Sequence, residues 1–282
     1  MLFNAAYIAV LRPSQWLKNL MLYFPPFLGG AITLPGNLVK GLVPFTAFCL
    51  ASSATYVFND IIDRENDAHH PLKRRRPLAS GKLPLRNAYL MCVLLLIGAV
   101  ALGQLVSSIF LYLLLAYVGL SFAYSLKLKE IALIDLFCIS AGFLLRLLAG
   151  GEAFNIPISE WLFLSVFLLA LFLSTGKRLG EKTSLGGKAG IHRKALLSYP
   201  DGFLEGALYM SGSAVLVTYT MYVLSRHALV YTVILCCFGL LRFIFRIKAG
   251  LGGDPTDSLL KDGTLLCVGV LWTIMVAWII YG

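Results

Sequence analysis

Charged side chains are scarce in this sequence: Asp, Glu, Lys and Arg make up 13% of the 282 residues, whereas apolar residues make up 59%. Soluble globular domains carry about 25% charged residues, so this composition excludes an ordinary soluble domain. The mean hydropathy of +0.81 points the same way. We therefore expect a polytopic membrane protein.

Several sequence signatures of catalysis and metal binding are also missing. The four histidines show no HExxH spacing, and the sequence contains no P-loop and no GxSxG elbow. These absences argue against a zinc protease, a P-loop nucleotide hydrolase and an α/β-hydrolase. The six cysteines form no CxxC pair and all fall within apolar runs. We expect them to be packing residues rather than disulfides or metal ligands.

Long apolar runs are what the sequence has instead. A membrane-spanning helix needs about 20 consecutive apolar residues. The apolar runs predict an all-α fold of nine transmembrane helices, in a single integral-membrane domain over residues 1–282. Pro25 and Pro26 should kink or interrupt the first span. The predicted spans are approximately 17–34, 39–62, 85–106, 109–127, 131–150, 159–177, 204–225, 229–247 and 264–281.

Basic residues are concentrated on one side of this predicted topology. The N-terminal flank and the loops after the second, fourth, sixth and eighth spans hold all but four of the 24 Lys and Arg residues. By the positive-inside rule, the N-terminus and these loops are cytoplasmic and the C-terminus is outside. Orientation thus explains the net charge of +10 without a nucleic-acid partner. All 14 acids except Glu152 and Glu160 share the cytoplasmic side, which predicts a polar site there.

The densest group of acids ends the second span, in the stretch YVFNDIIDREND. Asn59, Asp63 and Asp67 are spaced i, i+4 and i+8, which puts them on one face of a helix. Asp60 lies about 100° around the same helix, next to Asp63. Carboxylates this close repel each other unless a cation lies between them. Because oxygen ligands suit Mg²⁺, the pattern predicts a Mg²⁺ site formed by Asn59, Asp63 and Asp67.

A basic segment, HPLKRRRP, follows these acids. Lys73, Arg76 and the two arginines between them could simply anchor the loop beside anionic lipid headgroups or neutralise a solvated helix end. Beside Mg²⁺ carboxylates, however, fixed cations form a clamp for a diphosphate. Because charge at the end of a membrane helix is usually functional, we predict a phosphate site at the membrane surface.

Two further cytoplasmic segments contribute candidate residues. The first, YSLKLKEIALID, carries Tyr124, Lys129 and Asp135. Asp135 lies about one turn inside the fifth span, where an unpaired carboxylate is costly, so we expect it to meet a cation or a substrate hydroxyl. The second, GKRLGE, ends the sixth span. Its Lys177 and Glu181 are spaced i, i+4, so a surface ion pair and a site role are equally good interpretations.

Arginines within the predicted spans have a simpler interpretation. Arg146 lies deep in the fifth span, and we expect it to snorkel to the outer interface. Arg242 and Arg246 lie near the inner end of the eighth span and should snorkel to the inner interface. The segment GDPTDSLLKD before the last span adds three aspartates without a specific pattern.

Taken in order, five motifs resemble those of the intramembrane prenyltransferase superfamily of UbiA type, and within it the decaprenyl-phosphate phosphoribosyltransferases. The NDxxDxxxD helix end is typical of the whole superfamily. The continuation HPxKxxRP, with His70 and Pro71, and the KRxxE element at Lys177 are more specific to this branch. The five motifs are RPSQWLKN, NDIIDRENDAHHPLKRRRP, YSLKLKEIALID, GFLLRLLAGG and GKRLGE.

The resemblance implies a Mg²⁺-dependent enzyme of cell-wall biosynthesis in a bacterial cytoplasmic membrane. It would transfer 5-phosphoribosyl from phosphoribosyl diphosphate to a polyprenyl phosphate and release pyrophosphate. Mg²⁺ would be held by Asn59, Asp63 and Asp67. The implied catalytic residues are Asp60, Asp63, Asp67 and Asp135. The implied substrate-binding residues are Lys18, Lys73, Arg76, Tyr124, Lys129, Lys177, Arg178 and Glu181.

Two other functions remain open at this point. An aromatic prenyltransferase would use a prenyl diphosphate, but members of that kind carry a second aspartate-rich motif after the sixth span, where this sequence has Lys177, Arg178 and a single Glu181. A transporter of anionic or lipid-linked solutes would favour polar residues at the bilayer midplane. The charges here are concentrated at one membrane face instead.

Overall fold

The structure, a computed structural model, describes residues 5–69, 73–185, 194–224, 226 and 228–282. His70 and Pro71 of the HPxKxxRP motif lie outside these ranges. Every regular element in the described residues is a helix, as the apolar runs predict. All six cysteines are free.

The chain divides into two compact units. The first unit contains residues 1–129 and 145–157, and the second contains residues 130–144 and 158–282. A single domain over residues 1–282 stays a prediction.

The first unit begins with short helices and continues with long ones: α1 (Ala5–Leu11), α2 (Phe24–Leu28), α3 (Asn37–Lys40), α4 (Leu42–Ile62), α5 (Arg64–Ala68), α6 (Leu85–Gln104) and α7 (Ser108–Leu126). A 3₁₀ helix, Pro13–Tyr23, joins α1 to α2. The next helix is α8 (Ile134–Phe154), which belongs to the second unit up to residue 144 and then to the first. The second unit continues with α9 (Glu160–Leu185), α10 (Lys194–Leu197), α11 (Phe203–Leu224), α12 (Thr232–Lys248), α13 (Pro255–Lys261) and α14 (Gly263–Tyr281).

Within the described ranges, eight helical segments are long and apolar enough to cross a membrane, so the chain is a multi-pass membrane protein. They agree with the second to ninth predicted spans to within four residues, except that the sixth continues to residue 184 rather than 177. The first predicted span, 17–34, is not one continuous helix, and the predicted count of nine is not confirmed. Pro25 and Pro26 lack the N–H groups that would continue the preceding 3₁₀ helix, and they lie in the first turn of α2 instead, while Gly30 turns the chain with φ of 74°. The segments are 37–62, 85–104, 108–126, 134–154, 160–184, 203–224, 229–248 and 263–281.

Helix α4 lies at the centre of the first unit, where it packs against α6, α7 and the 3₁₀ helix. Ala51, Ser52 and Ser53 in its middle are buried. Small side chains of this kind allow neighbouring membrane helices to approach closely. Phe48 and Leu114 fill the adjoining apolar core. This packing fixes the last turn of α4, which carries the predicted acidic site.

Helix α9 has the corresponding place in the second unit, where it packs against α11 and α12. Phe172, Leu208 and Phe243 form the core between these helices. The short helix α13 contacts both α9 and α14. The chain after α12 is therefore brought back to the C-terminal part of α9.

Arg146 is buried in the first unit, with only 5% of its surface exposed. Its Nε donates to Asn19 Oδ1 at 2.8 Å, and its Nη2 donates to the Tyr117 hydroxyl at 2.8 Å. The guanidinium also lies 4.4 Å from the centre of the Tyr117 ring. The prediction that Arg146 snorkels to the outer interface is therefore wrong. The 3₁₀ helix supplies a polar partner inside the unit, so the guanidinium can stay where it is.

Arg242 and Arg246 both bind Asp262, the residue before the last helix. That they snorkel to the inner interface stays a prediction. The nitrogen–oxygen distances are 3.1 Å for Arg242 and 2.8 Å for Arg246. Asp262 also accepts from the backbone N–H of Leu265 and caps α14. The hydrogen bond from Arg246, followed by that from Leu265, lowers the pKa of Asp262 well below its usual range.

Candidate functional site

The acidic end of α4 has the geometry that the spacing predicts. The backbone N–H of Asp63 donates to the Asn59 carbonyl at 2.9 Å, and the N–H of Asp67 donates to the Asp63 carbonyl at 2.8 Å. These bonds continue the helical path from α4 through Asp63 into α5, so Asn59, Asp63 and Asp67 stack on one face. The Asn59 amide also donates to Asp63 Oδ2 at 3.1 Å.

Two of the predicted cations lie on this acidic face. Lys129 binds the carboxylate of Asp63, and Arg76 binds that of Asp67. The Asp63 side chain is 20% exposed and that of Lys129 is 16% exposed, whereas Asp67 is only 5% exposed. The first unit therefore assembles opposite charges from three chain segments, and Asp63 with Lys129 is the more accessible pair.

Asp60 differs from its neighbours because it is only 2% exposed. Its carboxylate accepts from Arg12 and, at 3.2 Å, from Arg76. The guanidinium of Arg12 lies 5.0 Å from the centre of the Tyr56 ring. Asp60 thus holds two cations in place. Sequence reasoning missed Arg12. The motif RPSQWLKN, which begins with this arginine, was the one signal that could have revealed it.

Three other predicted residues lie in the first unit. Lys18 is in the 3₁₀ helix Pro13–Tyr23, Lys73 opens the turn before Arg76, and Tyr124 is in the last turn of α7. All three side chains are half-buried. Their role in substrate binding stays a prediction.

The chemistry of the acidic face fits Mg²⁺. Asn59, Asp63 and Asp67 supply oxygen ligands, and Mg²⁺ commonly takes one or two carboxylates, with water and phosphate oxygens completing its octahedral shell. In the part of the chain that the structure describes, no three His, Cys, Asp or Glu side chains converge into a complete metal cage. A Mg²⁺ site here would therefore take its remaining ligands from water and a substrate phosphate.

A second polar cluster lies in the second unit, around the fully buried Asp135. Asp135 accepts from Arg178 Nε at 2.7 Å and from the Tyr199 hydroxyl at 2.6 Å. The expectation that Asp135 meets a cation is confirmed. Arg178 is itself 1% exposed and also donates to Glu181 Oε2 at 2.8 Å. A buried, hydrogen-bonded ion pair is costly to break, so this arginine is suited to holding its neighbours rather than to reaching a soluble ligand.

Tyr199 is a residue that sequence reasoning missed. Its hydroxyl accepts from the backbone N–H of Leu133 at 2.8 Å while it donates to Asp135. Leu133 has φ of 66°, a conformation that branched residues rarely adopt, so Tyr199 helps to hold a strained turn. Burial, and then the hydrogen bond to Asp135, raise the pKa of Tyr199 above its ordinary value. A single tyrosine in the loop LLSYPDG has no spacing that would reveal this role.

Lys177 precedes the buried Arg178 on α9 but remains 35% exposed. Its Nζ binds Asp254 Oδ2 at 2.6 Å. Glu181 pairs with Arg178 instead, so the interpretation of Lys177 and Glu181 as a surface ion pair is wrong. The structure thus gives the two adjacent cations of the GKRLGE motif different surroundings, one buried and one accessible.

Comparison with known proteins shows which family this chain resembles. The sequence pattern of the UbiA prenyltransferase family matches residues 22–250. A decaprenyl-phosphate phosphoribosyltransferase of Mycolicibacterium smegmatis is 34% identical to this chain, and the match covers 94% of this chain and 89% of that protein. A protein of the same name from Corynebacterium glutamicum is 32% identical, with 97% and 86% covered.

The fold also has a close counterpart among solved structures. A UbiA homolog from Archaeoglobus fulgidus, solved with GPP and Mg²⁺ bound, matches with a TM-score of 0.77 over 97% of each chain. Its sequence identity of 20% supports the fold alone. The family pattern, however, extends over most of the chain, and both curated relatives are similar along almost their whole length. This chain therefore belongs to the UbiA prenyltransferase family.

Proposed function

We propose that the protein transfers 5-phosphoribosyl from phosphoribosyl diphosphate to a polyprenyl phosphate and releases pyrophosphate. The observation that carries this proposal is the near-complete match to relatives named decaprenyl-phosphate phosphoribosyltransferase. The charge chemistry supports it, because carboxylates beside Lys and Arg side chains suit a metal-bound diphosphate. The length of the lipid is left open, since the motifs favour no particular chain length.

The acidic face of the first unit is the proposed place for the leaving group. Asn59, Asp63 and Asp67 would hold Mg²⁺, which neutralises charge on the departing pyrophosphate when it is bound. Lys129 binds the carboxylate of Asp63 and Arg76 binds that of Asp67. Both cations are proposed to bind phosphate oxygens. Lys18, Lys73 and Tyr124 are proposed as further substrate-binding residues, and Asp60 as the residue that holds Arg12 and Arg76 in place.

The second unit contributes residues with two kinds of role in this proposal. Lys177, which is accessible, binds a substrate phosphate. Asp135 and the buried Arg178 support the end of α9. The Glu181 side chain is 31% exposed, and its proposed role is to orient Arg178 or to bind a ribose hydroxyl. This differs from the expectation that Arg178 binds phosphate directly.

The bond changes in this reaction need little from a general base. The bond between C1 of the ribose and the pyrophosphate oxygen breaks, and the electron pair leaves with pyrophosphate. C1 gains oxocarbenium character, as in glycoside cleavage, and a phosphate oxygen of the lipid forms the new bond. That oxygen is already anionic at neutral pH, so the reaction requires no strong general base.

Both substrates also fit a location in the bacterial cytoplasmic membrane with the basic loops in the cytoplasm. Phosphoribosyl diphosphate is soluble and highly anionic, so a basic face would attract it. The polyprenyl chain would lie against the apolar helices, because its exposure to water is costly.

The test is incorporation of label. We expect membranes that contain the protein to transfer radiolabel from phosphoribosyl diphosphate into a lipid extract when polyprenyl phosphate and Mg²⁺ are both present, and not when EDTA replaces Mg²⁺. A parallel reaction offers a labelled prenyl diphosphate with 4-hydroxybenzoate. Label in the prenylated aromatic product, with none in the phosphoribosyl lipid, would support the aromatic prenyltransferase alternative instead.

A further inference from the structure

The segment between α12 and α13 lies directly against α9 through glycines. A Cβ atom added to Gly180 would lie 2.7 Å from the backbone nitrogen of Gly253, and one added to Gly253 would collide with the carbonyl oxygen of Gly176. Neither Gly180 nor Gly253 has a positive φ. Glycine is therefore needed at these positions for the close approach of two backbones rather than for an unusual turn.

This backbone contact brings Asp254 next to Lys177, and the Asp254 carboxylate is held from two directions. Its Oδ1 accepts from the backbone N–H groups of Thr256 and Asp257, both at 3.1 Å, and so caps α13. Its Oδ2 accepts from Lys177 Nζ at 2.6 Å. A carboxylate held in this way restricts the lysine that binds it.

We propose that Asp254 is a positioning residue that holds Lys177 in place to bind a substrate phosphate. Asp254 takes one of the three N–H donors of the ammonium group and leaves the others for phosphate oxygens. Lysine loses considerable rotamer entropy when it is fixed, and a lysine that is already fixed loses less on binding. The inference rests on the proposed function, which assigns Lys177 to a substrate phosphate. That phosphate belongs either to the soluble donor or to the lipid.

The two roles of Asp254 can be separated with one substitution. Asparagine caps helices as well as aspartate does, so Asp254→Asn keeps α13 capped and removes the charge that binds Lys177. A matched control lies three residues further on. Asp257 binds Lys261 at 2.7 Å on the exposed surface of the same helix, and exposed pairs of this kind contribute little. Asp257→Asn removes the same charge without touching Lys177.

The experiment measures equilibrium binding to the full-length protein in nanodiscs with Mg²⁺. Inorganic pyrophosphate and a short-chain polyprenyl phosphate are titrated separately, and the apparent Tm of each variant is recorded. We expect Asp254→Asn to raise the Kd of one of the two ligands about five- to tenfold. The apparent Tm of this variant should equal that of the wild type. Asp257→Asn should match the wild type for both. The ligand that responds identifies whether Lys177 serves the donor or the lipid.

A double substitution tests whether Asp254 acts through Lys177. In a Lys177→Ala background, we expect Asp254→Asn to cause no further change in Kd, because the residue it positions is gone. An unchanged Kd for both ligands in Asp254→Asn, a tighter Kd, or a loss of affinity that persists in the Lys177→Ala background would each overturn the inference. The binding measurement requires no turnover, so its result can be read even if the wild type forms no labelled lipid. Absence of labelled lipid would contradict the proposed function, whereas the Kd values alone decide the inference about Asp254.

Discussion

Burial separates the predicted site residues into supports and ligand candidates. Asp60 and Asp135 are 2% and 0% exposed, and each accepts hydrogen bonds from two neighbouring side chains. Such carboxylates are best suited to holding cations. Asp63 and Lys177 have side chains that are 20% and 35% exposed, so a ligand can reach them. Spacing along the sequence treats all four residues alike, because it carries no information on burial.

At the residue scale, the sharpest test of the acidic face is Asp63→Asn. The substitution keeps the size of the side chain and removes the charge that a divalent cation needs. We expect label transfer to fall by about 100-fold or more, because charge stabilisation of the leaving group is lost. The measurement is the initial rate of lipid labelling at saturating Mg²⁺.

The control for Asp63→Asn is Glu65→Gln, which removes one charge from an exposed side chain two residues away. It should keep nearly full activity. An Asp63→Asn protein with more than a tenth of the wild-type rate would argue against the Mg²⁺ assignment.

At the scale of elements, a close approach of two backbones brings the segment after α12 against α9. The close approach of Gly180 to Gly253 leaves no room for a methyl group. We expect Gly180→Ala to destabilise the protein by about 1–3 kcal/mol, as is typical of overpacking. Thermal unfolding in detergent should show the lower apparent Tm.

Gly206 provides the matched comparison for Gly180→Ala. It also lies inside a helix, α11, but a Cβ added there would meet nothing within 4 Å. Gly206→Ala should therefore leave the Tm unchanged or raise it, since alanine stabilises helix interiors by roughly 0.5–1 kcal/mol relative to glycine. Equal effects of the two substitutions would contradict the proposed contact.

The cap of α14 has a pH dependence of predictable sign. Arg246 and the Leu265 N–H lower the pKa of Asp262, so folding favours the charged carboxylate. Its stabilising contribution is complete above the unfolded pKa of about 3.9 and is lost as pH falls towards the lower folded value. Asp262→Asn keeps the cap and removes the charge. We expect the Tm difference between wild type and variant to stay constant from about pH 7 to 5 and to shrink below about pH 4.

Asp257→Asn again serves as the comparison for the cap, since the Asp257 side chain forms an exposed ion pair with Lys261. Its Tm should follow that of the wild type across the same pH range. A Tm difference for Asp262→Asn that grows on acidification would show that the sign is wrong.

At the scale of the whole molecule, the charge-rich segments follow α4, α7, α9 and α12 along the chain. If each long helix crosses the membrane once, these segments share one side, and the positive-inside rule predicts that this side is the cytoplasm. A membrane-impermeant maleimide tests this in cells. In a Cys267→Ser background, which removes the exposed native cysteine, we expect Thr33→Cys to be labelled in intact cells.

Asp201→Cys is the opposite probe for the topology, because it lies at an exposed position in the segment before α11. It should react only after the cells are permeabilised. Labelling of Asp201→Cys in intact cells would reverse the proposed orientation.

Sequence alone determined the class of this protein, most of its long helices and the core of the acidic site. The reason is that these features depend on local properties: the length of an apolar run, and the 3.6-residue period that stacks Asn59, Asp63 and Asp67. The first predicted span is the exception: Pro25 and Pro26 were expected to interrupt it, and no continuous helix covers residues 17–34, so the count of nine spans is not confirmed.

Only the tertiary structure decided which charges meet. Arg12 lies on Asp60 from 48 residues away, Lys177 binds Asp254 rather than Glu181, and Tyr199 reaches Asp135 across 64 residues. Such pairs depend on how helices pack and on where small side chains permit close approach, and neither leaves a spacing in the sequence. Local composition thus fixed where charge would be concentrated, while packing fixed the partner of each charge.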